Sequence, residues 1–185
     1  MILIEAAMTS AGVVRIARAE PADLTAILAI FDDAVAWIGA ESIASHTTTL
    51  SAAEVPTMVE RLRIHLENDL FLLAEYERKL VGALAMNFVQ PSYCWKDAVA
   101  GDAVYVHPFA TERAIEGVEI DALLLDFAWK YALDQGKTLL RLDCFTESTQ
   151  DVSYSIPAYV QAGFEQRGEF QIEGWQGMMF EKRLH

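Results

Sequence analysis

Between Ala103 and Leu125 the chain reads AVYVHPFATERAIEGVEIDALLL. The outline is a strand, a short loop and a helix opening, which is the form used to hold a phosphate-bearing ligand. Such a site needs glycines, because they let backbone N–H groups approach the phosphate with no side chain in the way. Here the loop is Glu116-Gly117-Val118-Glu119-Ile120-Asp121, with one glycine and three acids. A carboxylate there adds bulk and repulsion: two like charges at about 4 Å repel by about 1 kcal/mol in water and roughly 4 at an effective dielectric of 20. The same acids also suit an ordinary helix start, where the helix dipole favours each by roughly 0.3–1 kcal/mol. Asp102, His107 and Asp143 are the nearby groups able to take a proton. Histidine has a suitable unperturbed pKa, although a lone histidine beside a proline in a strand also fits a structural role. Arg141 and Asp143 are two apart in a strand and face one side. They are expected to pair with each other or with a neighbouring helix. No metal cluster, Ser/His/Asp arrangement or reactive Cys/His pair has credible spacing.

The elements that would position these groups can be read along the chain. Val13 to Ala17 alternates like a strand, and Glu20-Pro21 opens a helix with an apolar stripe of Leu24, Ile27, Phe31, Ala34 and Ile38. Ser51-Ala52-Ala53-Glu54 is a capping-box pattern, so a second helix follows, with Val55, Met58, Leu62 and Leu66 on its buried face. Leu70 to Tyr76 and Leu80 to Phe88 form a hairpin around Glu77-Arg78-Lys79. Gly82 inside the second strand signals a bulge or a close backbone approach. Gln90 to Gly101 is a loop, whose Tyr93 and Trp95 could shape a pocket; Trp37 and Trp175 read as core or interface residues. Ala103 to Thr111 is a strand broken in its pairing by Pro108. Val118 to Gln135 is a long helix with Asp126 and Lys130 at pair spacing, capped by Gly136. Thr138 to Phe145 is a strand, Ala158 to Ala162 a short helix that Pro157 shortens, and two strands lie near Phe164 to Ile172 and Met178 to Leu184.

Composition bounds the classes. Hydrophobic residues make up 53% of the 185 and charged residues 22%, an ordered globular balance. The length suits one domain over 1–185, with 1–12 as a loose N-terminal extension and Met8 as an alternative start. No apolar run is long enough for a membrane span, and the start is a poor secretory signal. The formal net charge of −13 argues against nucleic acid and anionic membranes and favours cationic small molecules such as amines. Cys94 and Cys144 read as reduced structural thiols, and the cytoplasm as the compartment.

The order of elements, with Tyr105-Val106-His107, the tetrad Arg141 to Cys144 (RLDC) and Tyr159 to Phe164 (YVQAGF), resembles the GNAT superfamily of N-acetyltransferases. The likeness runs from about Val14 to Leu184. It implies an α/β fold: a mixed, largely antiparallel sheet of six to seven strands flanked by helices, with a splayed central strand pair. It implies acetyl-CoA as cofactor, with pantetheine in the splay against Phe109, Ala110 and Thr111. The pyrophosphate would then meet Gly117, Val118, Glu119, Ile120 and Asp121. Gly117 matches the first family glycine, and Glu119 and Asp121 stand where the next two belong, so the phosphate loop is degenerate. Tyr159, four residues before Gly163, stands at the family's thiolate-protonating tyrosine; a phenol with pKa about 10 stays protonated at neutral pH. Tyr159 also suits packing on the sheet. For the general base, Asp102, His107 and Asp143 all remain candidates. The implied activity is acetyl transfer to a small-molecule amine by direct attack. The rival is a GNAT-fold binding or regulatory module that has lost acetyl-CoA. Dimers are common in folds resembling this one, which makes a homodimer a candidate assembly.

Overall fold

The structure, a computed structural model, describes residues 1–41, 56–68, 70–95, 102–112, 119–145, 152–172 and 175–183. By its contacts the chain divides into two compact units: Met1–Ala85 with Pro108–Leu124, and Met86–His107 with Leu125–His185.

In the first unit β1 (Ile2–Met8) pairs antiparallel with β2 (Val13–Arg18), and β2 with β3 (Leu70–Tyr76). A hairpin leads from β3 to β4 (Lys79–Asn87), and its two turn residues, Glu77 and Arg78, have φ of 48° and 67°. Two consecutive left-handed residues are what a tight hairpin turn requires to match strand twist. A short 3-10 turn at Pro21–Asp23 leads into helix α1 (Leu24–Glu41), and α2 is Pro56–Asn68. Ile27, Leu28, Phe31, Leu62 and Leu66 from these helices share one core with Phe71, Leu73, Ala83 and Ala110. The expected partner positions Val55 and Met58 lie outside the described side chains. Gly82 is a close-approach glycine: a Cβ there would stand 2.8 Å from Ile120 Cγ2 and 2.9 Å from Leu124 Cδ1.

The strand–helix–strand element has residues in both units, Pro108–Leu124 belonging to the first. β5 (Ala103–Thr111) runs parallel to β6 (Leu139–Phe145), joined by α3 (Ile120–Asp134). Ile120, Leu124, Leu125, Ala128 and Ala132 of α3 are buried at helical spacing, and Asp126 pairs with Lys130 at 2.7 Å. The helix stops at Gly136, φ 67°, where the Lys137 N–H donates to the Ala132 carbonyl at 3.0 Å. That bond satisfies a carbonyl the helix end would orphan. β6 pairs antiparallel with β8 (Trp175–Arg183), and β8 with β7 (Glu165–Ile172). The strand order is β1-β2-β3-β4-β5-β6-β8-β7: a mixed, largely antiparallel sheet with helices on its faces.

Three expectations change. The sheet has eight strands rather than six to seven, because residues 2–8, expected within a loose extension, form β1. Backbone pairing with β2 orders this segment, while Ile2 and Leu3 stay exposed, so no buried stripe marks it. Helix α4 spans Val152–Gln161 rather than starting at Ala158, with Pro157 inside it. A proline there removes one i→i−4 bond. Tyr159, two residues on, is buried against the rings of Phe164 and Phe180, which anchors the helix despite that loss.

Candidate active site

The strand–loop–helix segment has two described ends. At the strand end, Ala110 is buried in the core of its unit, and Phe109 and Thr111 are half-buried. At the helix end, Glu119 is exposed and its carbonyl receives the Leu123 N–H, the first bond of α3. Ile120 is buried beneath Gly82. Asp121 sits in the first turn and accepts a hydrogen bond from the Thr111 hydroxyl. A carboxylate therefore already occupies the end of the helix where an anion is favoured. Glu116, Gly117 and Val118 lie outside the described residues.

The parallel register of β5 with β6 covers Ala103↔Leu139 to Val106↔Leu142 and stops, although β5 continues to Thr111 and β6 to Phe145. It stops at His107-Pro108. Proline has no N–H for a ladder, so the sequence itself places the break. Beyond it, the Glu112 N–H donates to the Val81 carbonyl of β4 at 2.7 Å.

In the second unit the side chains of β5, β6 and the loop before β5 converge. Tyr93 Oη donates to Asp143 Oδ2 at 2.9 Å and stands 3.4 Å from His107 Nδ1. His107 Nδ1 is 3.7 Å from the same carboxylate oxygen, and Cys94 Sγ lies 4.0 Å from Oδ1. The side chain of Asp143 is 2% exposed and that of His107 33%. Burial pushes the Asp143 carboxyl above the ordinary carboxylate range, while the His107 charge and the Tyr93 hydrogen bond pull it back. Burial and the neighbouring carboxylate push the Tyr93 phenol up, so it remains a donor. The Cys94 thiol is pushed up to about 12, again by burial first and Asp143 second.

A second network holds the loop. Arg141 is buried and gives Nε to Glu181 at 2.9 Å and Nη1 to Tyr105 Oη at 3.0 Å. Tyr105 donates to Gln90 Oε1 at 3.1 Å, and Gln90 donates to the Trp95 carbonyl. The guanidinium lies 4.7 Å over the Trp95 ring. Trp95 has φ of 58°, an uncommon conformation for a bulky residue, and the stack and hydrogen bonds keep it there. Glu181 also receives Arg167 Nε at 3.2 Å.

The structure thus unites two of the three candidate bases and separates the third. Asp102 accepts the Thr138 hydroxyl at 2.6 Å instead. Arg141 and Asp143 share a face, but the partners described for them differ: Glu181 and Tyr105 for Arg141, Tyr93 and His107 for Asp143. The β6–β8 register sets Arg141 opposite Glu181, and the loop delivers Tyr93 to Asp143. Trp95 is core rather than pocket lining, with 6% exposure. The Trp37 and Trp175 side chains lie outside the described residues. Tyr159 packs edge-on against Phe164 and Phe180. Sequence reading missed the roles of Glu181 and Cys94, because neither has a local signal; only strand register and loop placement bring them in. Among the described residues there is no group of His, Cys, Asp and Glu that could hold a metal.

No family model matches the chain, and no curated protein sequence does. Its structure is similar to an acetyltransferase of the GNAT family from Listeria monocytogenes 4b F2365, at 21% identity over 97% of this chain and 100% of that one, with a TM-score of 0.70. The PaiA N-acetyltransferase from Thermoplasma acidophilum, in complex with coenzyme A, matches at 18% identity over 92% and 98%, TM-score 0.67. The ribosomal-protein-alanine N-acetyltransferase from Brucella melitensis matches at 22% identity over 91% and 99%, TM-score 0.61. With an eight-stranded mixed sheet and a parallel strand pair that parts at His107-Pro108, the chain has the fold of the GNAT N-acetyltransferases.

Proposed function

We propose that the chain is a cytoplasmic N-acetyltransferase that moves an acetyl group from acetyl-CoA to the amine of a small molecule, by direct attack in a ternary complex. The observation that carries this reading is the end of the β5–β6 register at Val106, with β5 running on through Phe109, Ala110 and Thr111. Those three residues would hold the pantetheine arm through their backbone groups. Ala110 itself is buried in the core of its unit. Acetyl-CoA, when bound, supplies an activated thioester. The chain's own residues orient the amine, accept its proton and return one to the leaving sulfur. Tyr159 is the proposed donor to sulfur. The phosphate end fits less well, since Glu119 and Asp121 offer carboxylates at the start of α3. Binding through the strand, with weak attraction at the phosphates, is the consequence.

One observation favours a second reading, a binding or regulatory module without acetyl-CoA: Asp121 is already tied to Thr111 where an anion would sit. Calorimetric titration with acetyl-CoA at low and moderate salt separates the two. Saturable one-to-one binding supports the transferase. No heat and no thermal stabilisation at millimolar ligand sinks it. Replacing both Glu119 and Asp121 by glycine is expected to tighten binding in the first case, and to create it in the second.

A further inference from the structure

In the first unit a crevice of about 310 Å³ lies between the turn that joins β1 to β2 and the turn that joins β3 to β4. That volume is at the lower end of clefts that hold small molecules. Gly12 forms one wall against the Tyr76 ring, where an added Cβ would stand 3.2 Å from Cε2, and Tyr76 Oη donates to the Ala11 carbonyl at 2.9 Å. The two turns are thereby fixed to each other. On the strands, Arg15 gives Nη1 to Glu75 at 3.1 Å. That bond uses one of the five guanidinium donors and neutralises the Glu75 carboxylate. Glu77 and Arg78 complete the lining. Both are exposed, and among the described residues neither makes a hydrogen bond or an ion pair, not even with the other. Both hold a left-handed backbone, φ 48° and 67°, which Asn and Gly adopt with far less strain. Strain that no contact of the side chains explains is a mark of ligand clamps.

We propose that this crevice is a binding site for a small zwitterion, a free α-amino acid. Its charged side chains balance: Arg15 and Glu75 pair with each other, which leaves one cation, Arg78, and one anion, Glu77. A simple anion would meet Arg78 but also the Glu77 carboxylate, and a simple cation would meet the reverse. An α-amino acid carries both charges on neighbouring atoms, and the two uncommitted groups stand on neighbouring residues. Its carboxylate takes the planar fork of Arg78, which suits two parallel hydrogen bonds. Its ammonium takes Glu77. The Arg15 donors that Glu75 leaves unused can hold the second face of the carboxylate. Gly12 and the Tyr76 ring bound the remaining space, so a short side chain fits better than a long one. No covalent step is involved, and the site lies on turns that the acetyl-transfer reading does not use.

Proton–nitrogen correlation NMR of the full chain, titrated with glycine and then with L-alanine, reads the site. The amides of Gly12, Tyr76, Glu77 and Arg78 are expected to shift saturably at millimolar ligand. Acetate and methylammonium, each with one of the two charges, should bind about tenfold more weakly or worse, since each forfeits a charged hydrogen-bonded contact. The double variant Glu77→Asn with Arg78→Gly removes both charges and supplies the residues that a left-handed turn prefers. It is expected to melt at a higher temperature than the wild type and to lose glycine binding by at least about tenfold, so the loss cannot come from unfolding. Three results would each overturn the assignment: no saturable shift of these amides with glycine or L-alanine, acetate binding as tightly as glycine, or a double variant that binds glycine like the wild type. Acetyl-CoA takes no part in the experiment, so its outcome and that of the calorimetric titration are independent.

Discussion

Asp143 keeps 2% of its side chain in solvent, and the first consequence is a titration. Its folded pKa is raised above the ordinary 3.8. The protonated acid therefore contributes stability that is complete below that value and is lost as pH rises through the raised one. Asp143→Asn carries no such proton. Urea unfolding at steps from about pH 4 to about pH 8 should show wild-type stability falling relative to Asp143→Asn as pH rises. A flat difference would mean that His107 and Tyr93 offset the burial completely. The neighbouring thiol gives a second check. With its pKa raised from 9.0 to about 12, Cys94 holds on the order of a thousandfold less thiolate at neutral pH than an ordinary cysteine. Iodoacetamide should label it in urea and hardly at all in the folded protein; rapid native labelling would contradict its burial. At Tyr159 the expected signature is chemical rather than structural. Tyr159→Phe keeps the edge-on ring contacts and should leave acetyl-CoA affinity unchanged while turnover falls by about a hundredfold.

Two elements bear on the site through their packing. Gly82 on β4 lets Ile120 and Leu124, the opening of α3, come within van der Waals range of the strand. In Gly82→Ala the new methyl would overlap both, and overpacking of this kind costs about 1–3 kcal/mol. A fall in Tm and a loosened helix start should accompany it, read by thermal melting and amide exchange in Ile120 to Leu124. Unchanged stability would show that the helix start yields easily. The loop from Gln90 to Trp95 is held by Arg141 through Tyr105 and Gln90 rather than by its own turn chemistry. Its placement of Tyr93 therefore depends on β6 and β8, the strands that supply Arg141 and Glu181.

At the scale of the molecule, the formal charge of −13 opposes an anionic ligand. Screening should then help binding. As salt rises from about 10 mM to about 150 mM the Debye length falls from about 30 Å to about 8 Å, and acetyl-CoA affinity should rise several-fold. Calorimetry at the two ionic strengths checks the sign. Affinity that weakens with salt would require a cationic cradle for the phosphates and would count against a degenerate loop. No helix among the described residues is long and apolar enough to cross a membrane.

The sequence by itself determined the local elements. The stripe of α3, the Gly136 cap, the Asp126–Lys130 pair and the Glu77-Arg78 turn all arise from neighbours a few residues apart. Periodicity and turn chemistry report such short-range physics directly. Pro108 likewise announced the end of pairing, because the missing N–H belongs to the residue itself. β1 was not legible as a strand, since its order comes from a partner strand and not from burial of its own side chains. Tertiary structure alone decided that Arg141 faces Glu181, that Asp102 is apart from the cluster, and that Tyr93 bridges His107 to Asp143. These pairings join residues far apart in the chain through strand register and loop placement. Register is set by the sum of many weak long-range contacts, which no local spacing encodes.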